Sequence, residues 1–246
     1  MTGSDIYLNR LKQAAKVLLW NEKVVEVNRG LIARYVARSI PKDAVFVECG
    51  SFTGNGGKKF AELAKLNPEN CHLIEACPQN FKIMQERYAG FKVHNLAVSG
   101  KEGTLPFYVV DVTKWEGTSV HNSFHREHLE KRFGKANVQE VFVRSVPLGM
   151  FFRENNLPRV DYLFMNVEGA EYDIFENNTD FLDHVHFFYL DMHSITGNRK
   201  ALKFRQKKIF DLIVASGFEH VGGHRREHID IFNGHLSFLW EKTNKV

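Results

Sequence analysis

The chain has 246 residues, 43% of them hydrophobic and 25% charged, with a formal net charge of +4. That balance excludes disordered and fibrous classes, and the length supports one generous domain without a metal or disulfide staple. The three cysteines, Cys49, Cys71 and Cys77, show no CxxC or Cys/His zinc spacing and read as buried thiols of a reducing compartment.

From Ser4 to Trp20, Leu8, Leu11, Ala15, Leu18 and Leu19 recur at helical spacing behind a Ser4 or Asp5 cap. A second helix is expected from Glu22 to Ser39, stopped by Pro41. Together they make an N-terminal helical extension, residues 1–40, ahead of a domain spanning 41–246. Neither they nor any later run has the continuous apolar stretch of a signal peptide or membrane span, so the expectation is a cytoplasmic protein with no membrane partner.

After Pro41 the pattern turns to short apolar runs that end in glycine or acid. Ala44–Gly50 reads as a buried parallel strand, Gly50–Gly57 as a glycine-rich turn and Lys58–Leu66 as a helix ended by Asn67-Pro68. His72–Ala76 is a second strand, Pro78 opens a helix to about Tyr88, and Phe91–Ser99 is a third strand. This alternation predicts βαβ units: a doubly wound, mostly parallel α/β sheet with helices on both faces. Thr104–Val110 and Val138–Val146 look like extra strands around a polar, histidine-bearing loop. Val160–Glu168 is again a buried strand, and Val185–Leu190 runs into Asp191-Met192-His193. Residues 199–215 form a helix closed by Gly217, and Phe218–Val221 and Leu236–Trp240 finish the sheet, with a turn signal at Asn233-Gly234.

In such a sheet a ligand lies beyond the carboxyl ends of the strands. The first end reads Glu48-Cys49-Gly50-Ser51-Phe52-Thr53-Gly54, where glycines let the backbone turn tightly and approach a ligand. The pattern differs from the dinucleotide fingerprint and lacks the Lys-Ser/Thr of a phosphate loop. The second strand ends in Glu75-Ala76, placing a carboxylate to accept hydrogen bonds from both ribose hydroxyls of an adenosine. Asn95-Leu96-Ala97-Val98-Ser99 sits where an adenine ring would pack. Asn166 and Glu168 share one side of their strand end, as do Asp191 and His193.

These strings resemble those of FkbM-type methyltransferases. The hallmark Asp-x-Glu-Gly-x-Glu is matched by Asn166-Val167-Glu168-Gly169-Ala170-Glu171, and Glu48-x-Gly50-x-x-x-Gly54 is similar to the cofactor loop. Glu75 with Pro78 resembles the ribose-binding strand end, Asn95-x-Ala97 the third strand, and Asp191-Met192-His193 a Glu-x-His strand end. The resemblance covers residues from about 44 to 240. It departs at Asn166, where aspartate is usual, at Phe164, often lysine, at Phe52, often small and polar, and at Pro147-Leu148-Gly149, where Thr-Leu-Asp is usual.

The resemblance implies a class I Rossmann-like fold, S-adenosylmethionine as cofactor, and O-methylation of a hydroxyl on a sugar, glycan or small metabolite. The cofactor-binding residues would be Glu48, Gly50, Ser51, Phe52, Gly54, Glu75, Ala76, Asn95, Ala97 and Asn166. Glu168 or His193 would be the base, with Asp191 orienting the histidine or helping to hold the acceptor. Two other readings stay open. A nicotinamide oxidoreductase is disfavoured by the absent second glycine, and a degenerate cofactor-binding interaction protein is kept open by Asn166 and Phe164.

The histidines at 121, 125 and 128 and at 224, 228 and 235 form no recognised zinc motif, so no metal is expected. A divalent cation on Asn166, Glu168 and Asp191 is the lesser alternative. The basic run Arg199, Lys200, Lys203, Arg205, Lys207 and Lys208 reads first as the solvated face of a helix and second as a patch for an anionic substrate. Without basic residues gathered among aromatics, no nucleic-acid partner is expected. Oligomeric state and the acceptor's identity carry no sequence signal.

Overall fold

The computed structural model describes residues 22–110, 122–193, 199–223 and 235–243. The expected helix Ser4–Trp20, the Asn233-Gly234 turn and His121, His224 and His228 lie outside these residues. Seven strands form the main sheet: β1 (Phe46–Cys49), β2 (Cys71–Glu75), β3 (Lys92–Asn95), β7 (Val160–Met165), β8 (Val185–His193), β9 (Phe218–Gly223) and β10 (His235–Lys242). Their order is β3-β2-β1-β7-β8-β10-β9, parallel from β3 to β8, with β10 antiparallel to both its neighbours. The expected doubly wound, mostly parallel sheet is therefore present. Its order reverses at β1, which pairs with β2 on one side and β7 on the other. A crevice opens at such a switch point.

β1 and β2 are buried along their whole length, as parallel strands covered on both faces must be. One face carries α1 (Glu22–Ser39), α2 (Asn55–Ala64) and α3 (Pro78–Arg87), with Ile32, Val36, Phe60, Ala61 and Met84 in one cluster with Phe46, Tyr162 and Tyr189. On the other face, helices α5 (Leu148–Glu154), α6 (Glu171–Asn177) and α7 (Arg199–Ala215) bury Phe151, Ile174, Phe210 and Ile213 against Val47, Leu163, Phe188 and Trp240. Each such fully buried large side chain contributes roughly 1.5–3 kcal/mol. All three cysteines are free and buried. No helix among the described residues is long and apolar enough to cross a membrane.

Several expected boundaries move. The single strand expected over Phe91–Ser99 is two: β3 pairs with β2, and β4 (Ala97–Val98) pairs with β6 (Val138–Val146). β6 in turn pairs with β5 (Gly103–Val110), making a second, three-stranded sheet. A change of partner at Leu96 leaves the period-2 pattern intact, so the sequence cannot show it. α2 starts at Asn55 rather than Lys58, carrying Gly56 and Gly57 into its first turn. A Cβ at Gly57 would lie 2.6 Å from Glu48 Oε2, so packing overrides the poor helix propensity of glycine there. α5 and α6 (7 residues each), with α4 (Arg126–Phe133, 8 residues), were not expected; so few turns leave little periodicity to read.

Candidate active site

The end of β1 is bound tightly to its neighbours. Gly50 and Ser51 both donate backbone N–H groups to Ile74 O at 3.0 Å, and Gly54 N donates to Ser51 O at 2.8 Å. Gly50 takes φ +80, and a Cβ there would fall 1.8 Å from Asn166 O, so only glycine lets the ends of β1 and β7 meet. Phe52 is also left-handed, with φ 54, a conformation costing about 1–3 kcal/mol for a side-chain-bearing residue. Its N–H donates to Glu75 Oε2 at 2.8 Å, while Cys77 N donates to Glu75 Oε1 at 2.8 Å. Glu75 thus ties the loop to the end of β2. Burial pushes its carboxyl up to about 7, against these two backbone donors and with help from the charge of Glu168.

An open cleft of about 660 Å³ lies above this floor. Of the residues expected to bind cofactor, Gly50, Phe52, Glu75, Ala76, Ala97 and Asn166 line it, together with Glu168. The other four stand behind the wall. Glu48 lies under the loop against Gly56 and Gly57, where burial pushes it up to about 8. Ser51 Oγ donates to Glu48 O at 3.1 Å. Gly54, with φ +77, starts α2 where a Cβ would meet the Tyr88 ring at 2.4 Å. Asn95 Nδ2 donates to Glu75 O and Ala76 O at 3.0 and 3.2 Å, bracing the end of β2.

Sequence reasoning missed Phe107, Asn122 and Phe124, which also line the cleft. Phe107 comes from β5 and packs edge-on to Phe124 at 5.2 Å, and Asn122 Oδ1 accepts Val110 N at 2.9 Å. All three belong to the second sheet and the loop before α4, whose position no local pattern announced.

Past β7 the chain turns through two left-handed residues, Glu168 (φ 48) and Gly169 (φ 102), and Ser123 Oγ donates to Glu168 O at 2.8 Å. His193 sits between two acids. Its Nδ1 is 2.7 Å from Glu171 Oε1 and its Nε2 3.4 Å from Glu168 Oε1. Burial alone would drive the ring neutral, but Glu171 and Glu168 together lift His193 well above the ordinary histidine range. The ring is therefore an imidazolium at neutral pH, with a proton on each nitrogen for each carboxylate.

Asp191 departs from expectation. Fully buried, it accepts from the Arg29 guanidinium of α1 and from Ser237 Oγ, and its charge is answered there. The carboxylate that orients His193 is Glu171, also fully buried. The hallmark string contained Glu171, but nothing in its spacing pointed it at a residue on β8. Asn166 and Glu168 do share the cleft, whereas Asp191 is committed to Arg29 and Ser237, which removes it from the cation set considered above. Among the described residues no three His, Cys, Asp or Glu side chains are grouped to hold a metal.

The cleft suits an adenosyl group on its own chemistry. Each Glu75 oxygen takes one backbone N–H and keeps lone pairs for hydroxyl donors. Leu96, Ala97, Val98 and Phe107 offer an apolar wall for a base, and the buried Asn166 Oδ1 has no partner among the described residues. The family model of the methyltransferase FkbM domain matches residues 48–232. The chain belongs to this family. S-adenosylmethionine is accordingly its cofactor, and the enzyme is an S-adenosylmethionine-dependent methyltransferase by family.

Among solved structures, the FkbM methyltransferase of Methylobacillus flagellatus KT is 12% identical with a TM-score of 0.49, covering 96% of this chain and 60% of that one. The present chain thus spans about 60% of that FkbM protein's length. Aeropyrum pernix fibrillarin with natively bound S-adenosyl-L-methionine is 9% identical with a TM-score of 0.42, covering 87% and 76% of the two chains. M. capricolum TrmK with S-adenosyl-homocysteine is 10% identical with a TM-score of 0.41, covering 86% and 68%. Comparison with curated proteins finds no match.

Proposed function

We propose that this FkbM-family member is an O-methyltransferase acting on a hydroxyl of a sugar, glycan or small metabolite, with Glu168 as the base. The observation that carries the reading is the position of Glu168. Glu168 takes a left-handed backbone and lines the cleft, and His193, held by Glu171, faces its carboxylate. The bound cofactor supplies an electrophilic methyl on a sulfonium, transferred in line with departure of the thioether. The chain's own residues do the remaining work. Glu168 takes the proton that the acceptor oxygen loses as its new bond to carbon forms. His193, kept cationic by Glu171 and Glu168, holds the Glu168 carboxylate aimed until that proton arrives. Phe52, Phe107 and Phe124 keep water from the apolar part of the cleft.

On this reading Gly50, Phe52, Glu75, Ala76, Ala97 and Asn166 touch the cofactor, and Glu48, Ser51, Gly54 and Asn95 hold the loop and strand ends that do so. Residues 41–246 are the catalytic domain, and residues 1–40 a helical extension whose second half packs onto it. The acceptor is a small molecule or glycan rather than a nucleic acid or a membrane, and the working compartment is the cytoplasm.

Calorimetric titration with S-adenosylmethionine and S-adenosylhomocysteine, beside Glu75→Ala, tests the cofactor assignment. Saturable binding that the substitution weakens by ~10-fold or more, about 1.4 kcal/mol, is expected. A carboxyl that titrates at about 7 must be ionised to accept both hydroxyls, so wild-type affinity should rise as pH climbs through that value. Folded protein that binds neither ligand would sink the reading. Glu168→Gln should leave binding of S-adenosylhomocysteine in place while its release from S-adenosylmethionine, assayed over a panel of hydroxyl acceptors, disappears.

A further inference from the structure

Beside the cofactor cleft lies a second groove of about 1040 Å³ that nothing above has used. Phe124 and Ala170 line both, so they form the partition between them, and Gly169 of the groove adjoins Glu168 of the cleft. A ligand lying in the groove would therefore meet the cofactor cleft at the proposed base. The body of the groove is apolar: Leu105 and Pro106 from β5, Phe124 and the ring of Tyr172.

The polar atoms of the lining side chains are mostly spent on the protein itself. Ser99 Oγ is 2.7 Å from Ser145 Oγ and 3.1 Å from Lys101 O. Asp173 Oδ2 accepts Gly100 N at 2.7 Å, and its Oδ1 accepts Asn177 Nδ2 at 3.0 Å. His125 Nε2 lies 3.4 Å from Gly169 O. Two cations remain. Lys101 lines the groove with no acidic partner among the described residues. Arg205 is pre-positioned: its Nε donates to Glu176 Oε1 at 3.0 Å and its guanidinium lies 4.5 Å over the Tyr172 ring. That bond uses one of its five N–H donors, and the fork of terminal nitrogens stays available for a planar acid or a phosphate.

Asp173, like Glu75, keeps lone pairs for a hydroxyl donor, but Lys101 and the terminal nitrogens of Arg205 are better answered by an anion than by a neutral polyol. An anionic group instead gains charge-assisted hydrogen bonds, roughly twice as strong as neutral ones. We propose that this groove is the acceptor site, and that the acceptor is a small hydroxyl compound with an apolar, ring-sized body carrying a carboxylate or phosphate held by Arg205 and Lys101. The assignment rests on the methyltransferase reading above and narrows its acceptor class. It also gives part of the basic run of α7 a ligand-binding role.

The test uses the full chain saturated with S-adenosylhomocysteine and titrated calorimetrically with phenyl phosphate, benzoate, inorganic phosphate and benzyl alcohol. Phenyl phosphate or benzoate should bind saturably, at least tenfold more tightly than benzyl alcohol and than inorganic phosphate. Which of the two acids wins tells phosphate from carboxylate. Arg205→Gln and Lys101→Gln should each weaken the preferred acid about tenfold, while S-adenosylhomocysteine affinity, the control for an intact fold, stays unchanged. Equal affinity for charged and neutral probes, indifference to both substitutions, or no probe binding to protein that holds S-adenosylhomocysteine would overturn the acceptor assignment alone. Failure of the wild type to bind S-adenosylhomocysteine would overturn the parent reading, and this one with it.

Discussion

Around β2 and β3 the protein holds histidines that are neutral, whereas at the end of β8 it holds one that is charged. His72 and His94 stack with ring centres 5.3 Å apart and Nδ1 3.2 Å from Nε2. Burial first, then neighbouring positive charge, pushes them down to about 3 and about 4. His193 is likewise desolvated, yet two carboxylates send it the other way. The acids differ in their partners. Glu75 is held by backbone N–H groups and rises to about 7, while Glu171 and Glu168 are held by an imidazolium. Desolvation acts on both regions; the partner decides its outcome. The end of β2 is thus part of a backbone-built cradle, and the end of β8 a web of side-chain ion pairs.

The largest effect that would break this contrast lies in the cradle. Gly50→Ala forces a Cβ into Asn166 O at a left-handed position and should destabilise the fold by roughly 4 kcal/mol. Thermal unfolding would register this as a fall of roughly 10 °C in Tm for a chain of this size. A loss under ~1 kcal/mol would mean that β1 and β7 do not meet through that glycine.

Next comes the ion-pair web. Glu171→Gln removes a fully buried partner and should cost about 3 kcal/mol, measured by chemical denaturation near pH 6. A histidine raised in the fold contributes stability that is complete below its unfolded pKa and lost as pH climbs through the folded value. The deficit of the variant should therefore shrink in alkali, and the NMR titration of His193 should move down toward the ordinary range. An unmoved titration would show that Glu168 alone sets the charge.

The smallest effect concerns the neutral pair. Histidines lowered in the fold leave stability intact above their unfolded pKa and remove it as pH falls below that, by up to ~1.4 kcal/mol per pH unit each. This acid limb should extend down toward about 4 for His94 and about 3 for His72. His94→Gln should flatten the limb by roughly 1 kcal/mol per pH unit in denaturation curves between pH 6 and 4. An unchanged slope would place the acid sensitivity in other groups.

The cradle was legible in the sequence because its parts are local. Gly50 and Asn166 follow β1 and β7, Glu75 ends β2 and Ala97 lies just past β3, and parallel strands bring their carboxyl ends to one edge. Two strands of the second sheet were legible, as Thr104–Val110 and Val138–Val146, but their pairing with β4 was not, since β3 and β4 read as one alternating run and only their partners differ. The period of two put Asp191 beside His193, but Arg29, 162 positions earlier, and Ser237, 46 later, take its carboxylate. Phe107 and Phe124 gave no signal because an aromatic in a strand or a polar loop is ordinary.

From its residues alone the chain determined a doubly wound α/β sheet and several of the strand-end residues that line the cleft. Glycine spacing, strand periodicity and a strand-end acid act within a few residues of themselves. Tertiary structure decided which acid serves which base. Glu171 reaches His193 across 22 positions, and the same fold gives Asp191 to a helix that precedes the sheet. Charge pairing in a buried site depends on distance in space and on which partner is desolvated with it, and neither quantity is written in spacing along the chain.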